Sequence, residues 1–522
     1  MTSLPAAVDL LIVGGGINGA GIARDAAGRG LSVLLVEQGD LAGATSSASS
    51  KLIHGGLRYL EFGEFRLVRE ALLEREVLLG IAPHLIEPLE FVLPHDRTLR
   101  PRAMLRLGLW LYDHLGRRKK LPPSRRIDPR RDPMGAPLRA DITTAFVYAD
   151  CRVDDARLVI ANARDARRRG ATILTHTSLL RAQRHGNAWR ATLVLRDGSK
   201  AEVTARMLVN AAGPWAMEVA RRAGAGHGNA TLRLVKGSHI VMPRLYDGGH
   251  AYILQNEDRR IVFIIPFHED YSLVGTTEEA FTGDPAQVEC SDAEARYLCD
   301  AVSRWFARPL DLAAILWRYA GVRPLYEDHA KSASAVTRDY VLLLEAPEGA
   351  APLLSVLGGK ITTYRRLAEH ALERLATVAP VSDRAWTAAE PLPGGRDIPS
   401  VAALQRHYPW LEAEIAAGLV ERHGGEAAAV LGDAQTAADL GEIFGAGLSA
   451  REVEWFRREE WAETVDDILW RRSKLGLRLG PEARTRLARS LAAPPARTKN
   501  SLPESTEARL NGATTSSERG ER

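Results

Sequence analysis

The stretch VDLLIVGGGINGAGIARDAAGRGLSVLLVE, Val8–Glu37, decides the fold class. Leu10–Val13 is a short apolar run that stops at Gly14, and Leu31–Val36 is a second one that follows Gly30 and stops at Glu37. The helix-forming residues between them make the order strand, turn, helix, strand. In the turn, G-x-G-x-x-G falls at Gly14, Gly16 and Gly19, with Gly15 and Asn18 inside it, and each of the three spaced glycines has a task that a side chain would spoil. Gly14 makes the tight turn, Gly16 lets a pyrophosphate lie against bare backbone, and Gly19 lets helix and strand pack closely. Phosphates then meet unpaired N–H groups at the positive end of the helix dipole. Glu37 arrives about 20 residues on, where a carboxylate accepts from adenosine ribose hydroxyls and disfavours a 2′-phosphate. The motif therefore points to a dinucleotide other than NADP, and by itself leaves NAD and FAD open.

A chain of 522 residues has room for two or three domains with large cores. Its three cysteines, Cys151, Cys290 and Cys299, form no C-x-x-C pair, which indicates neither a disulfide framework nor a zinc site and suits a reducing compartment. The few residues before the first strand lack a charged n-region and a cleavable apolar segment, so no secretory signal is expected. No apolar run approaches the ~18–20 residues of a membrane-spanning helix, so any membrane contact is expected at the surface.

The formal net charge of +4 is unevenly placed: residues 100–131 hold eleven Lys and Arg against Asp113 and Asp128, leaving the rest of the chain net acidic. Met104–Leu115, inside that segment, is apolar and carries Trp110 and Tyr112. Two readings stand beside each other, an in-plane helix at an anionic lipid surface or a core helix followed by a solvated basic loop. Nucleic-acid binding has no accompanying helix-turn-helix, zinc or RNA-binding signature.

After Glu37, Thr45, Ser46, Ser47 and Ser49 offer hydroxyls and N–H groups to phosphate or a flat polar ring, and Lys51 follows. His54, Arg58 and Tyr59 then bring an imidazole, a guanidinium and a phenol to one place. Glu64–Leu79 has helical apolar spacing and is closed by Pro83 and Pro88. From Tyr148 the chain reads as a turn, a helix over about 155–169 stopped by Gly170, and a strand. Asp197-Gly198 marks a hairpin. Met207–Trp215 is a strand running into a small-residue turn, where Ala211 and Gly213 permit a second close backbone approach. Leu232–Met242, Ala251–Leu254, Ile261–Pro266 and Tyr271–Gly275 are successive strands of an antiparallel sheet. Ser291–Glu294 is a capping box opening a helix to about Ala307. Ala314–Pro324 and Arg338–Leu344 return to strand and carry Arg323 and Arg338. Leu353–Leu357 is another strand, and Gly358, Gly359 and Lys360 open a helix to about Ala376. That glycine pair exposes N–H groups beside a cation and reads as anion or cofactor stabilisation. Pro391–Pro399 is a linker, a helical region with a second capping box at Ser449–Glu452 follows, and the polar residues 493–522 are expected to be disordered.

With these residues in place the chain resembles the FAD-dependent glycerol-3-phosphate dehydrogenases of the aerobic, respiratory type. The resemblance covers about residues 8–490. Its most specific parts are GGGINGAGIARDAAGRG at Gly14–Gly30, ATSSASSKLIHGGLRYLE at Ala44–Glu61, VNAAGPW at Val209–Trp215, KGSHIV at Lys236–Val241, AGVRPL at Ala320–Leu325 and GGKITTYRRLA at Gly358–Ala368.

The resemblance implies FAD as cofactor and an α/β fold: a doubly wound, Rossmann-like FAD domain, an antiparallel-sheet substrate domain and a C-terminal helical domain. Residues 1–390 form the oxidoreductase region, with FAD-binding segments at about 8–80, 150–225 and 353–378 and substrate segments at about 81–149 and 226–352. Residues 391–492 form the helical cap. The implied reaction oxidises sn-glycerol 3-phosphate to dihydroxyacetone phosphate and passes electrons to membrane quinone, from a cytoplasmic, peripheral position on the inner face of the membrane, and it tilts residues 100–131 toward lipid contact. Homodimerisation stays open. An oxidase using oxygen and a non-catalytic flavin-binding membrane sensor are the alternatives.

Within the matching motifs, cofactor contacts are expected from Gly14, Gly15, Gly16, Asn18, Gly19, Glu37, Thr45, Ser46, Ser47, Ser49, Lys51, Ala211, Gly213, Gly358, Gly359, Lys360 and Thr362. A phosphate dianion needs fixed cations, expected from Arg58, Arg323, Arg338 and Lys360 with Tyr59 beside them. Arg323 is also expected at the reacting centre. The base for the C2 hydroxyl is His54 or His239, and the sequence does not choose between them.

Overall fold

The computed structural model describes residues 4–96, 101–116, 120–225, 231–327 and 339–492. The opening stretch folds as strand Ala7–Val13, helix Ile17–Gly28 and strand Val33–Val36. The two strands pair in parallel, Leu10 beside Val33 through Val13 beside Val36, and burial on both faces explains their unbroken apolar runs. Strand Lys200–Asn210 adds in parallel beside Ala7–Val13 and is followed by Leu353–Leu357, while Thr172–Leu174 extends the sheet beyond Val33–Val36. Val341–Glu345 closes one edge antiparallel. Helices Ile17–Gly28, Asp155–Arg168 and Tyr364–Ala376 share one apolar core over this sheet. Segments hundreds of residues apart thus build one doubly wound layer.

A second, ten-stranded sheet contains Thr231–Pro243, Ala251–Gln255, Ile261–Phe267 and Tyr271–Gly275, the successive strands expected from the sequence. It is antiparallel except where Ala251–Gln255 meets Ile86–Pro94 in parallel. Its longest ladder joins Thr231–Pro243 to Trp317–Glu327 and sets His239 opposite Tyr319 and Val235 opposite Arg323. Residues beyond 400 form a helical unit around Leu419, Phe444, Phe456 and Leu469, with a small hairpin, Ile443–Gly445 and Leu448–Ser449. Among the described residues no helix is long and apolar enough to cross a membrane.

Several local expectations are corrected. Tyr148 lies inside a strand, Ala145–Val153, not a turn; eight of its nine residues are buried, which removes the alternation that marks a half-exposed strand. The helix opened by Ser291 has its capping box but ends at Ser303. The helix after Gly358 starts only at Tyr364, behind a tight turn over Ile361–Thr363, because Gly358 and Gly359 both take positive φ. At the second expected capping box only half forms. Ser449 accepts from the Glu452 N–H, but the Glu452 carboxylate is taken by Arg422 and His423 at 2.7–2.8 Å.

Helix Arg102–Leu115 has one buried and one exposed apolar face. Leu105, Leu109 and Tyr112 are buried, while Met104, Leu107 and Trp110 are 46%, 59% and 55% exposed. The basic run is in part neutralised by its own acids, since Arg125 pairs with Glu90 and Arg130 with Asp128. Arg100 and Arg117–Lys119 lie outside the described residues, as does the tail 493–522.

Candidate active site

A cavity of about 880 Å³ is lined from both sheets and from the C-terminal unit. Its first wall is the glycine turn. Gly14 has φ +114°, and a Cβ there would come 2.5 Å from the Ala211 carbonyl oxygen. A Cβ on Gly15 would press the Glu37 Cβ at 2.8 Å, and one on Gly19 would sit 1.9 Å from the Gly14 oxygen. At Gly16 the nearest atom is the Ser46 hydroxyl at 3.1 Å, so this position opens to the cavity. The Ser46 oxygen accepts the Ile17 N–H at 3.0 Å. Glu37 accepts from the N–H groups of Gly15 and Gly39 at 2.6 and 2.8 Å, and burial pushes its carboxyl above the ordinary range despite these bonds.

The second wall is the turn holding Ala211 and Gly213, and the third is the late glycine pair. The Asn18 amide donates to the Gly358 carbonyl at 3.2 Å, tying the start of the first helix to a turn 340 residues away. The Asn18 Oδ1 is buried with no partner among the described residues, an orphaned acceptor on a residue that lines the cavity. Bare backbone at two helix starts, a buried carboxylate at a strand end and this orphaned acceptor together fit an elongated dinucleotide such as FAD.

The hydroxyl loop is more committed than its sequence suggests. Thr45 donates to the Val322 carbonyl at 2.6 Å, Ser47 to Ala44 at 3.3 Å and Ser49 to Asp155 at 2.7 Å. Lys51 reaches Asp155 and the Ser47 carbonyl, each at 2.9 Å. These groups therefore hold the loop against its neighbours while it lines the cavity. Thr362 likewise pairs its hydroxyl with the backbone of His54.

At the other end, His54, Tyr59, His239, Arg323 and Lys360 all line the same cavity. The Lys360 ammonium stands 4.0 Å from the centre of the Tyr59 ring. Arg323 donates to the Thr277 carbonyl at 3.1 Å. His239 Nε2 contacts the Ser50 hydroxyl at 2.9 Å, and its ring stacks on Tyr319 with centres 4.8 Å apart. Burial, then the charges of Lys51 and Arg323, lower the His239 imidazole to about 3. Burial also lowers His54, opposed by Asp150 and assisted by Lys360 and Arg75. Arg58 is not on the cavity wall; its guanidinium lies over the Phe62 ring at 5.9 Å. Arg338 lies outside the described residues.

Other residues of the site escaped the sequence reading. Glu294 appeared only as a helix cap, yet its second oxygen accepts from Ser238 and Thr277 at 2.7 and 2.8 Å, beside His239 and at the residue whose carbonyl holds Arg323. Lys236 completes the hub at 2.7 Å and, with these bonds, brings the carboxyl to about 2. Asp150 joins Arg75 and Tyr112, and the Tyr112 oxygen accepts the Gly55 N–H at 2.7 Å, so helix Arg102–Leu115 is tied to the loop that bears His54. The C-terminal unit adds Asp466, Trp470, Arg471 and Lys474 to the cavity.

The FAD dependent oxidoreductase family model matches residues 9–365, and the C-terminal domain of alpha-glycerophosphate oxidase matches residues 385–493. A glycerol-3-phosphate dehydrogenase of Pseudomonas aeruginosa is 53% identical, covering 92% of this chain and 94% of its own. A D-erythritol 1-phosphate dehydrogenase of Brucella abortus is 48% identical over 91% and 96%. The fold superposes on a glycerol-3-phosphate dehydrogenase from Bacillus halodurans solved with FAD, with a TM-score of 0.70 at 24% identity, covering 93% and 94%. From the glycine cradle, the two sheets and these matches, the chain belongs to the FAD-dependent oxidoreductases, in the glycerol-3-phosphate dehydrogenase family, with FAD as its cofactor.

Proposed function

We propose that the protein oxidises sn-glycerol 3-phosphate to dihydroxyacetone phosphate and passes the electrons to membrane quinone while lying on the inner face of the membrane. The observation that carries the substrate reading is the convergence of Arg323 and Lys360 with Tyr59, His54 and His239 on the cavity that the glycine turns also wall. Fixed cations suit a phosphate dianion, arginine through forked bonds, and would repel an ammonium substrate. We assign Arg338 the same task from the family resemblance.

Bound FAD supplies the acceptor for the hydrogen leaving C2 as hydride. The chain's own residues do the rest. Arg323 and Lys360 hold the phosphate, and a neutral imidazole, His54 or His239, takes the C2 hydroxyl proton on a ring nitrogen. The N–H groups of Ile361 and Thr362 stabilise negative charge beside Lys360. Met104, Leu107 and Trp110, with exposed Arg102 and Arg106, support a lipid contact, as do exposed Phe62 and Phe65 on adjoining elements.

Anaerobic mixing with glycerol 3-phosphate should bleach the flavin, and a quinone analogue should restore its colour. Flavin that stays oxidised with glycerol 3-phosphate but bleaches with D-erythritol 1-phosphate would move the substrate to the four-carbon ester. Rapid peroxide formation in air without a response to quinone would move the acceptor to oxygen.

A further inference from the structure

The hydroxyl loop that walls the cofactor cavity is held, at both of its ends, by one short basic run of the C-terminal unit. Near the start of the loop, Asp40 is buried and receives the Arg472 guanidinium in a fork, at 2.5 and 2.7 Å, with Arg471 adding a bond at 2.5 Å. Arg472 is itself fully buried. At the far end, Lys474 pairs with Asp154 at 2.8 Å and Asp155 at 3.2 Å. Asp155 is the carboxylate that receives Ser49 and Lys51. Arg471 and Arg472 close a π-helical turn, Asp467–Arg472, an irregularity frequent at functional sites.

We infer that Arg471-Arg472-Ser473-Lys474 is a clamp through which the C-terminal unit orders residues 40–51 for FAD, so that this unit is a cofactor-retention element. The inference rests on the assignment of the cavity to FAD. Between the two grips lie Thr45, Ser46 and Ser47, which line the cavity, and Ser50, which meets His239. A loop ordered before binding subtracts nothing from affinity, whereas a loop that must be ordered by the ligand does. The loop meets the glycine turn through Ser46, which accepts the Ile17 N–H at 3.0 Å, and through the Ala42 N–H, which donates to the Gly15 carbonyl at 3.1 Å.

The test is FAD retention by the purified full-length protein, read as flavin per chain and as the dissociation constant from titration of the apoprotein with FAD. Lys474→Met and Arg472→Gln should each weaken FAD by roughly tenfold or more, from ordering several side chains at the moment of binding. Glu426→Gln is the control. It breaks another contact between the same units, with Arg164 at 2.7 Å, far along the chain from the loop. This control should keep wild-type FAD affinity even where the melting temperature falls. Equal FAD affinity in all folded variants, or an equal loss in Glu426→Gln, would overturn the clamp. If Arg472→Gln fails to fold, Arg472→Lys, which keeps the charge and loses the fork at a residue that is not on the cavity wall, takes its place. A wild-type protein that cannot be loaded with FAD at all would instead defeat the assignment of the cavity.

Discussion

Replacing Gly16 and Gly19 separately by alanine should split cofactor binding from folding. Gly19 has no space for a methyl, since its Cβ would stand 1.9 Å from the Gly14 oxygen, a backbone atom that cannot swing aside. The helix and strand must part to relieve the overlap, costing about 1–3 kcal/mol or more against a total stability of roughly 5–15. Gly16 differs in kind. Its backbone, φ −78° and ψ −176°, suits any residue, and its Cβ would meet only the Ser46 hydroxyl at 3.1 Å. Gly16→Ala should therefore fold with apoprotein stability near wild type. Its methyl would occupy the place of the approaching pyrophosphate, and losing one hydrogen bond to a charged group costs about 1.5–3 kcal/mol, roughly 10- to 150-fold in FAD affinity. Calorimetry of both apoproteins and FAD titration by flavin fluorescence give the two numbers. The reasoning fails if Gly16→Ala binds FAD as wild type does, or if Gly19→Ala melts with it.

Arg323→Ala should raise KM for glycerol 3-phosphate by tenfold or more, about the 1.5–3 kcal/mol of a charge-assisted bond, and leave FAD content unchanged; parallel loss of both would remove its substrate role. Glu294→Gln should lower kcat/KM through displaced Thr277 and Arg323, whereas Ser291→Ala, which breaks only the cap, should mainly lower the melting temperature. Because burial holds His54 and His239 neutral, the acid limb of kcat/KM should lie below pH 6.5, and a limb at or above that value contradicts either histidine as base. The same sign applies to stability. Histidines kept neutral by the fold bind protons only when unfolded as pH drops below about 6.5, so the melting temperature should fall from pH 7 to 5. Leu107→Ser with Trp110→Ser should release the protein from anionic vesicles without changing FAD content, and unchanged binding would discard helix Arg102–Leu115 as the lipid contact.

The sequence by itself determined the opening strand, turn, helix and strand with their glycine motif, because these rest on local rules. Gly14, Gly16 and Gly19 act within one turn, and the parallel strands announce themselves as short apolar runs. Strand Ala145–Val153 hid from those rules by being buried on both faces. The tertiary structure alone decided which distant groups share the cavity. Register placed His239 against Tyr319, long-range hydrogen bonding brought Glu294 to Ser238 and to Thr277, whose carbonyl holds Arg323, and the C-terminal unit reached back to Asp40 and Asp155. It also drew Glu452 away from its expected cap, because a buried carboxylate is held more firmly by a guanidinium than by a single N–H. A one-dimensional pattern encodes which residue types a turn or strand tolerates, whereas charge pairing across hundreds of residues is settled only when burial removes water and leaves each ion to the partners packed against it.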